Sequence, residues 1–210
     1  MAAIQGLNQP NGTAVPPEPT MTPKELNKSN IAVDEVSAPT PADDDVPLFS
    51  PSLISTSILS LLPENYTIRP LRRSDYHNGY LDVLRVLTSV GDVSYEEWSA
   101  RYEWMARRND EYFLLVVCDG ENRIVGTGSL IVERKFIHSL GLVGHIEDIA
   151  VEKNQQGLKL GLRIIQSLDH VAAQVGCYKS ILDCSETNEG FYLKCGFRRA
   201  GLEMAHYYDN

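Results

Sequence analysis

The sequence predicts an α+β domain built on a mixed sheet, set behind a proline-rich N-terminal segment. Three observations carry this. All 11 prolines lie at or before Pro70, so the composition changes abruptly there. From Tyr66 onward, short apolar runs of strand period alternate with stretches whose apolar residues recur every three or four positions. The segments follow one another in the order βααβββαβαβ, which is that of an α+β or mixed-sheet domain.

The first strand is Tyr66-Thr67-Ile68-Arg69, which alternates. Ser74 to Val90 reads as an amphipathic helix with Tyr80, Leu81, Leu84 and Leu87 at helical spacing. Ser94-Tyr95-Glu96-Glu97 has the form of a capping box, in which Ser94 accepts from the N3 amide and Glu97 reaches back; a helix to about Arg108 follows. Tyr112 to Cys118 is an apolar β run, Asp119-Gly120 a turn, and Arg123 to Lys135 a long second strand, together a hairpin. Gly126 and Gly128 within it mark either a bulge or a close approach by ligand backbone. Leu142 to Val151 is a strand, Leu158 to Val175 a helix, Lys179 to Cys184 a strand and Asn188 to Lys194 a short helix. Phe197 and Glu203 to Tyr207 are expected to close the sheet.

Bulk properties narrow the function. The 210 residues suit one domain plus a tail, and 43% apolar with 22% charged content is ordinary for a soluble globular chain. No apolar run approaches the roughly 18 residues that span a bilayer. Met1 to Asn11 has neither a basic start nor an apolar core, so no secretory signal is expected and the chain is read as cytoplasmic, with no membrane partner. The net charge of −9 speaks against nucleic acid, which needs a basic face. Cys118, Cys177, Cys184 and Cys195 show no metal-ligand spacing, so no metal is expected; they are read as reduced, structural thiols, Cys184 included. Residues 1–50, with proline among Asn, Ser, Thr and the run Asp43-Asp44-Asp45, are expected to form a flexible extension or a docking tail, and 51–210 the folded domain. Ser50 to Leu62 is apolar enough for a short helix packed on that domain.

The chemistry concentrates around one strand–turn–helix. Ile146 to Val151 ends a strand, Gln156-Gly157-Leu158-Lys159-Leu160-Gly161 forms a glycine-containing turn, and Leu162 to Ile165 begins a helix. Free amides and the positive dipole end at a helix N-terminus receive phosphate. Taken alone, the segment fits plain turn chemistry as well as an anion site.

This segment resembles the pyrophosphate loop of the GNAT acetyltransferase superfamily, Q/R-x-x-G-x-G/A, with Gln156 and Gly161 at the ends and Lys159 where the middle glycine is usual. Four blocks, Ile131 to His138, Gly144 to Val151, Cys177 to Cys184 and Asn188 to Phe197, together resemble the glucosamine 6-phosphate N-acetyltransferase family over about Tyr66 to Met204. The resemblance implies a GNAT fold, a central mixed, mostly antiparallel sheet flanked by helices. It implies direct transfer of acetyl from acetyl-CoA to the amine of glucosamine 6-phosphate, without a covalent enzyme intermediate, in UDP-N-acetylglucosamine synthesis. It also implies a homodimer with its active site near the interface.

Residue roles follow from the same resemblance. Acetyl-CoA is held by Ile149, Val151, Gln156, Gly157, Leu158, Lys159, Leu160, Gly161, Leu162, Asn188 and Tyr192. Tyr192 supports the departing thiolate, Glu147 binds sugar and accepts the amine proton directly or through water, and the Asp183 carbonyl orients the amine. Thr88, Lys135, His138, Asp148, Tyr178 and Lys179 contact substrate, the last two across the dimer interface. Adjacent on a strand, Glu147 and Asp148 are expected to point to opposite faces. The family's C-terminal basic contact has only His206 to match it. Two other readings stay open: an acetyltransferase for a different amine, and a non-catalytic CoA-binding module.

Overall fold

The computed structural model describes residues 45–208. Residues 1–44, most of the expected N-terminal extension, lie outside the described residues. The described chain up to Met204 belongs to one compact unit, and Ala205 to Tyr208 fall outside it.

Five strands form one sheet in the order β1-β2-β3-β4-β5: β1 (Thr67–Pro70), β2 (Tyr112–Cys118), β3 (Ile124–Arg134), β4 (Leu142–Val151) and β5 (Cys177–Ile181). The first four are antiparallel to their neighbours, while β4 and β5 run parallel. That pair needs a crossover, which α4 (Leu160–Gln174) supplies. The other helices of regular geometry are α1 (Thr56–Leu59), α2 (Tyr80–Leu84), α3 (Tyr95–Ala106) and α5 (Glu186–Lys194), while the short helical turn Ile137–Leu140 holds left-handed angles at His138 and Ser139. The expected GNAT architecture is thus observed. Among the described residues no helix is long and apolar enough to cross a membrane.

Helices cover both faces of the sheet centre, so β2 is buried along nearly its whole length rather than alternating. α4 lays Leu160, Ile164, Ile165, Leu168, Val171 and Ala172 on one face, a one-sided stripe at helical spacing. Gly126 and Gly128 of β3 sit beneath it. A Cβ on Gly128 would stand 2.6 Å from Ile149 Cδ1 and from Ile164 Cγ2. Of the two readings of these glycines the bulge is observed, since the β3–β4 register shifts between Thr127 and Ser129, and the close approach is made by the helix α4. On the opposite face Thr127 and Ser129 are buried toward Tyr80 of α2.

The α3 capping box forms as read: the Glu97 amide donates to Ser94 Oγ at 3.3 Å, and the Ser94 amide donates to Glu97 Oε2 at 2.9 Å. The long helix expected from Ser74 to Val90 does not form as one piece. Arg73–Asn78 is a 3-10 turn, Gly79 takes φ 90°, and α2 stops at Leu84. A left-handed residue cannot continue an α-helix, so the chain changes direction there. Arg69 grips Asp75 with both terminal guanidinium nitrogens, Nη1 and Nη2, at 2.8 and 2.7 Å, which fixes the 3-10 turn against β1.

The N-terminal side reaches further than residue 51. Leu48 and Phe49 are buried, the Leu48 amide donates to Leu71 O at 2.8 Å, and the Phe49 ring meets Phe113 edge-on. The turn Pro51–Leu53 and α1 follow, with Ile54 buried, as the apolar Ser50–Leu62 stretch suggested. At the other end the expected closing strand is absent among the described residues: Phe197 and Glu203 to Tyr207 pair with no strand, and Met204 and Tyr207 are exposed.

Candidate functional site

The site arises where the parallel pair separates. β4 and β5 are in register only from Leu142 with Cys177 to His145 with Ile181. β4 then continues to Val151, while the chain leaves β5 through Leu182 to Ser185 and enters α5. The strand expected from Lys179 to Cys184 thus ends earlier, which releases Asp183 and Cys184 from the sheet. Between the diverging segments lies a cleft of about 300 Å³ lined by Leu87, Ile146, Glu147, Asp148, Ile149, Asp183, Cys184, Ser185, Asn188 and Tyr192.

Glu147 and Asp148 both line this cleft, against the expectation of opposite faces. The reason is a bulge. Thr127 pairs with Ala150 and Ser129 with Glu147, so β4 carries one extra residue opposite Gly128. Asp148 accommodates it with φ 54°, and strict alternation ends there. Burial raises the Glu147 carboxyl above the usual carboxylate range, and the nearby Asp148 and Asp183 charges raise it further. Burial likewise raises the Tyr192 phenol, with Cys184, Cys195 and Glu147 adding smaller effects. Tyr192 therefore holds its proton firmly, while Glu147 is a stronger base than a solvated glutamate.

The loop beyond β4 has the form of an anion cradle. Lys153–Gln155 make a 3-10 turn, Gly157 has φ 88° with open space around its Cβ position, and Lys159 caps α4 in left-handed conformation, φ 62° and ψ 16°. Lys159 thus adopts the backbone conformation of the glycine it replaces. No side chain caps α4, so its first-turn amides remain open to a ligand. Gly161 faces Phe191 of α5, whose Cζ would lie 3.4 Å from a Cβ there. Gln156, Leu158, Leu160 and Leu162 follow the same turn, with Leu160 buried in the core. Val151 closes β4 at its entry.

The predicted phosphate and sugar contacts fall elsewhere. Lys135 Nζ lies 2.6 Å from Glu133 Oε1, and His145 Nε2 lies 2.9 Å from Glu133 Oε2. Lys135 and His145 together hold the Glu133 carboxyl below its ordinary value. The His138 ring packs on Tyr178 with centroids 4.5 Å apart, and Lys179 Nζ stands 5.7 Å over the Tyr178 ring. Lys179 pairs with Val143, four residues before Glu147, about 13 Å along the strand. Lys135, His138, Tyr178 and Lys179 do not line the cleft of their own chain. Thr88 is exposed just past α2, next to the cleft residue Leu87.

Leu87, Ile146, Cys184 and Ser185 are lining residues that sequence reasoning missed. Cys184, read as packing, is exposed and faces the cleft. Its place directly after Asp183 was the only available signal. All four cysteines are free thiols.

A splayed parallel pair, an uncapped helix after a glycine turn and a protonated phenol across the gap suit transfer of an acyl group from a phosphate-bearing donor. The chain belongs to the GNAT acetyltransferase family: the model of the acetyltransferase (GNAT) family matches residues 69–197. Within that family it is 47% identical over 144 residues to a glucosamine 6-phosphate N-acetyltransferase of Candida albicans, covering 69% of this chain and 97% of that protein. It is 44% identical to glucosamine 6-phosphate N-acetyltransferase 1 of Dictyostelium discoideum, covering 70% and 94%. The crystal structure of glucosamine-6-phosphate N-acetyltransferase from Arabidopsis thaliana superposes with a TM-score of 0.68 at 37% identity, covering 70% of this chain and 100% of that one.

Proposed function

We propose that the chain transfers acetyl from acetyl-CoA to the amine of D-glucosamine 6-phosphate, releasing CoA and N-acetyl-D-glucosamine 6-phosphate, by direct attack within a ternary complex. The observation that carries this is the convergence of Glu147 and Tyr192 on one cleft that opens beside the pyrophosphate loop. The named relatives supply the acceptor.

In this reading the amides that open α4, with Gly157 and Lys159, hold the pyrophosphate. Asn188 and the β4 residues Ile149 and Val151 hold the arm that ends in the thioester. Glu147 takes the amine proton, directly or through water, and the Asp183 carbonyl orients the amine. The neutral amine attacks the thioester carbonyl carbon, and the C–S bond breaks. Tyr192 donates its proton or a hydrogen bond to the departing sulfur. Each proton transfer from a placed group is worth about 10²-fold or more.

The sugar phosphate needs cations, and this acidic chain offers few near the cleft. We assign Lys135, His138, Tyr178 and Lys179 to the cleft of a two-fold partner, which makes the enzyme a homodimer with sites near its interface. Phe136 is 94% exposed, and Ile137 and Leu140 are exposed beside it, an apolar patch that suits such an interface. The product belongs to UDP-N-acetylglucosamine synthesis, a cytoplasmic setting. Purified protein given acetyl-CoA and glucosamine 6-phosphate should release CoA, with other amines as competitors. Absence of turnover above background refutes the assignment.

A further inference from the structure

We infer that Tyr66 is a positioning residue for the pyrophosphate loop, acting through Gln155. The inference rests on the acetyl-CoA reading above and assigns a part of the chain outside the cleft. The Tyr66 hydroxyl donates to Gln155 Oε1 at 2.5 Å, a half-buried bond across 89 positions of sequence. Gln155 ends the 3-10 turn that follows β4, and Gln156 and Gly157 come directly after it.

The donor is itself fixed. Tyr66 packs against the hydrophobic core, and its amide donates to Pro63 O at 3.2 Å, which seats the ring before β1 begins. The acceptor's own amide donates to Glu152 O at 2.9 Å, but the loop after it has less support. Residues 156–159 are exposed, and Gly157 and Lys159 both take left-handed angles with no side-chain cap on α4. The start of the segment is anchored to β3, where the Glu152 amide donates to Val125 O at 2.9 Å and Arg123 Nη2 lies 3.6 Å from Glu152 Oε2. Tyr66 adds a second anchor on the far side of the 3-10 turn, and two fixed points determine where the following amides face. An anion site made of backbone amides binds well only when those amides converge beforehand, because ordering them on binding costs affinity. The Tyr66 hydroxyl touches no reacting atom. Its effect belongs to cofactor binding and not to the chemical step.

The test uses Tyr66→Phe, which removes one oxygen and keeps the ring, and Gln155→Ala, which removes the acceptor. In each, the KM for acetyl-CoA should rise about fivefold, the size of one lost half-buried hydrogen bond. The kcat and the KM for glucosamine 6-phosphate should stay at wild-type values. Acetylpantetheine lacks the pyrophosphate, so its kcat/KM should be the same in all proteins. The double variant should be no worse than either single one. Calorimetric binding of CoA reads the same loss without any acceptor, so an incorrect acceptor does not mask the result. Unchanged CoA affinity in both variants overturns the inference. Parallel loss with acetylpantetheine overturns it as well, because that is the mark of general destabilisation. Wild-type protein that fails to bind CoA overturns both this inference and the reading beneath it.

Discussion

Lys159→Gly separates the two effects expected of Lys159, one in its backbone and one in the proposed phosphate contact. Its backbone sits at φ 62° and ψ 16°, where a residue with a Cβ is disfavoured by about 1–2 kcal/mol. Glycine relieves that strain but loses about 0.5–1 kcal/mol more backbone entropy on folding. The difference favours the variant by about 0.5–1 kcal/mol, a rise in melting temperature of about 2 °C for a domain of this size. The side chain works in the other direction. An exposed ammonium beside a pyrophosphate is worth a few-fold in affinity, so the KM for acetyl-CoA should rise about fivefold and its dependence on salt should flatten. Thermal unfolding and steady-state kinetics at two ionic strengths read the two effects separately. A stabilised variant with unchanged KM and unchanged salt dependence refutes the phosphate role of the lysine. A fall in melting temperature refutes the strain argument.

Tyr192→Phe should lower kcat about 100-fold with little change in acetyl-CoA binding, and equal activity removes Tyr192 from the mechanism. Glu147→Gln should lower kcat by a similar factor and abolish an acid limb of the pH profile that lies above the ordinary carboxylate value of 4.5. Because folding raises the Glu147 carboxyl, the stabilisation it gives is complete below 4.5 and is lost as pH rises through the folded value. The Gln variant should therefore match wild-type stability in acid and exceed it at neutral pH in chemical denaturation. Gly128→Ala should destabilise the domain by about 2 kcal/mol, since the new Cβ meets Ile149 and Ile164 at 2.6 Å; a neutral effect in the same assay contradicts the packing. Phe49→Ala should cost about 3 kcal/mol if the segment before residue 51 belongs to the folded domain, and a negligible loss places it outside.

The elements that the sequence made legible were those specified locally. The Ser94–Glu97 capping box, the β2–β3 hairpin and the stripe of α4 each depend on residues a few positions apart. The failures depend on partners distant in sequence. Ser74 to Val90 reads as one helix because the periodicity of Tyr80, Leu81, Leu84 and Leu87 carries no information on φ, and Gly79 signals the break that separates the 3-10 turn from α2. The bulge at Asp148 exists only relative to β3, so no inspection of β4 by itself places Glu147 and Asp148 in the same cleft. The end of β5 depends on where β4 turns away. For the same reason the cleft residues Glu147, Asp183, Asn188 and Tyr192 came from a resemblance over four blocks. Spacing alone does not join a strand to a helix some 40 positions on.

The two glycines beneath α4 act as a gauge. With no side chains at Gly126 and Gly128, the helix rests nearly on the backbone of β3, and the depth of that seat sets the height of its first turn above the sheet. Any bulk added at the seat works as a wedge under a lever whose far tip is the row of open amides at the start of α4. Under the proposed function, residues remote from the cofactor would thus determine the height at which it is received.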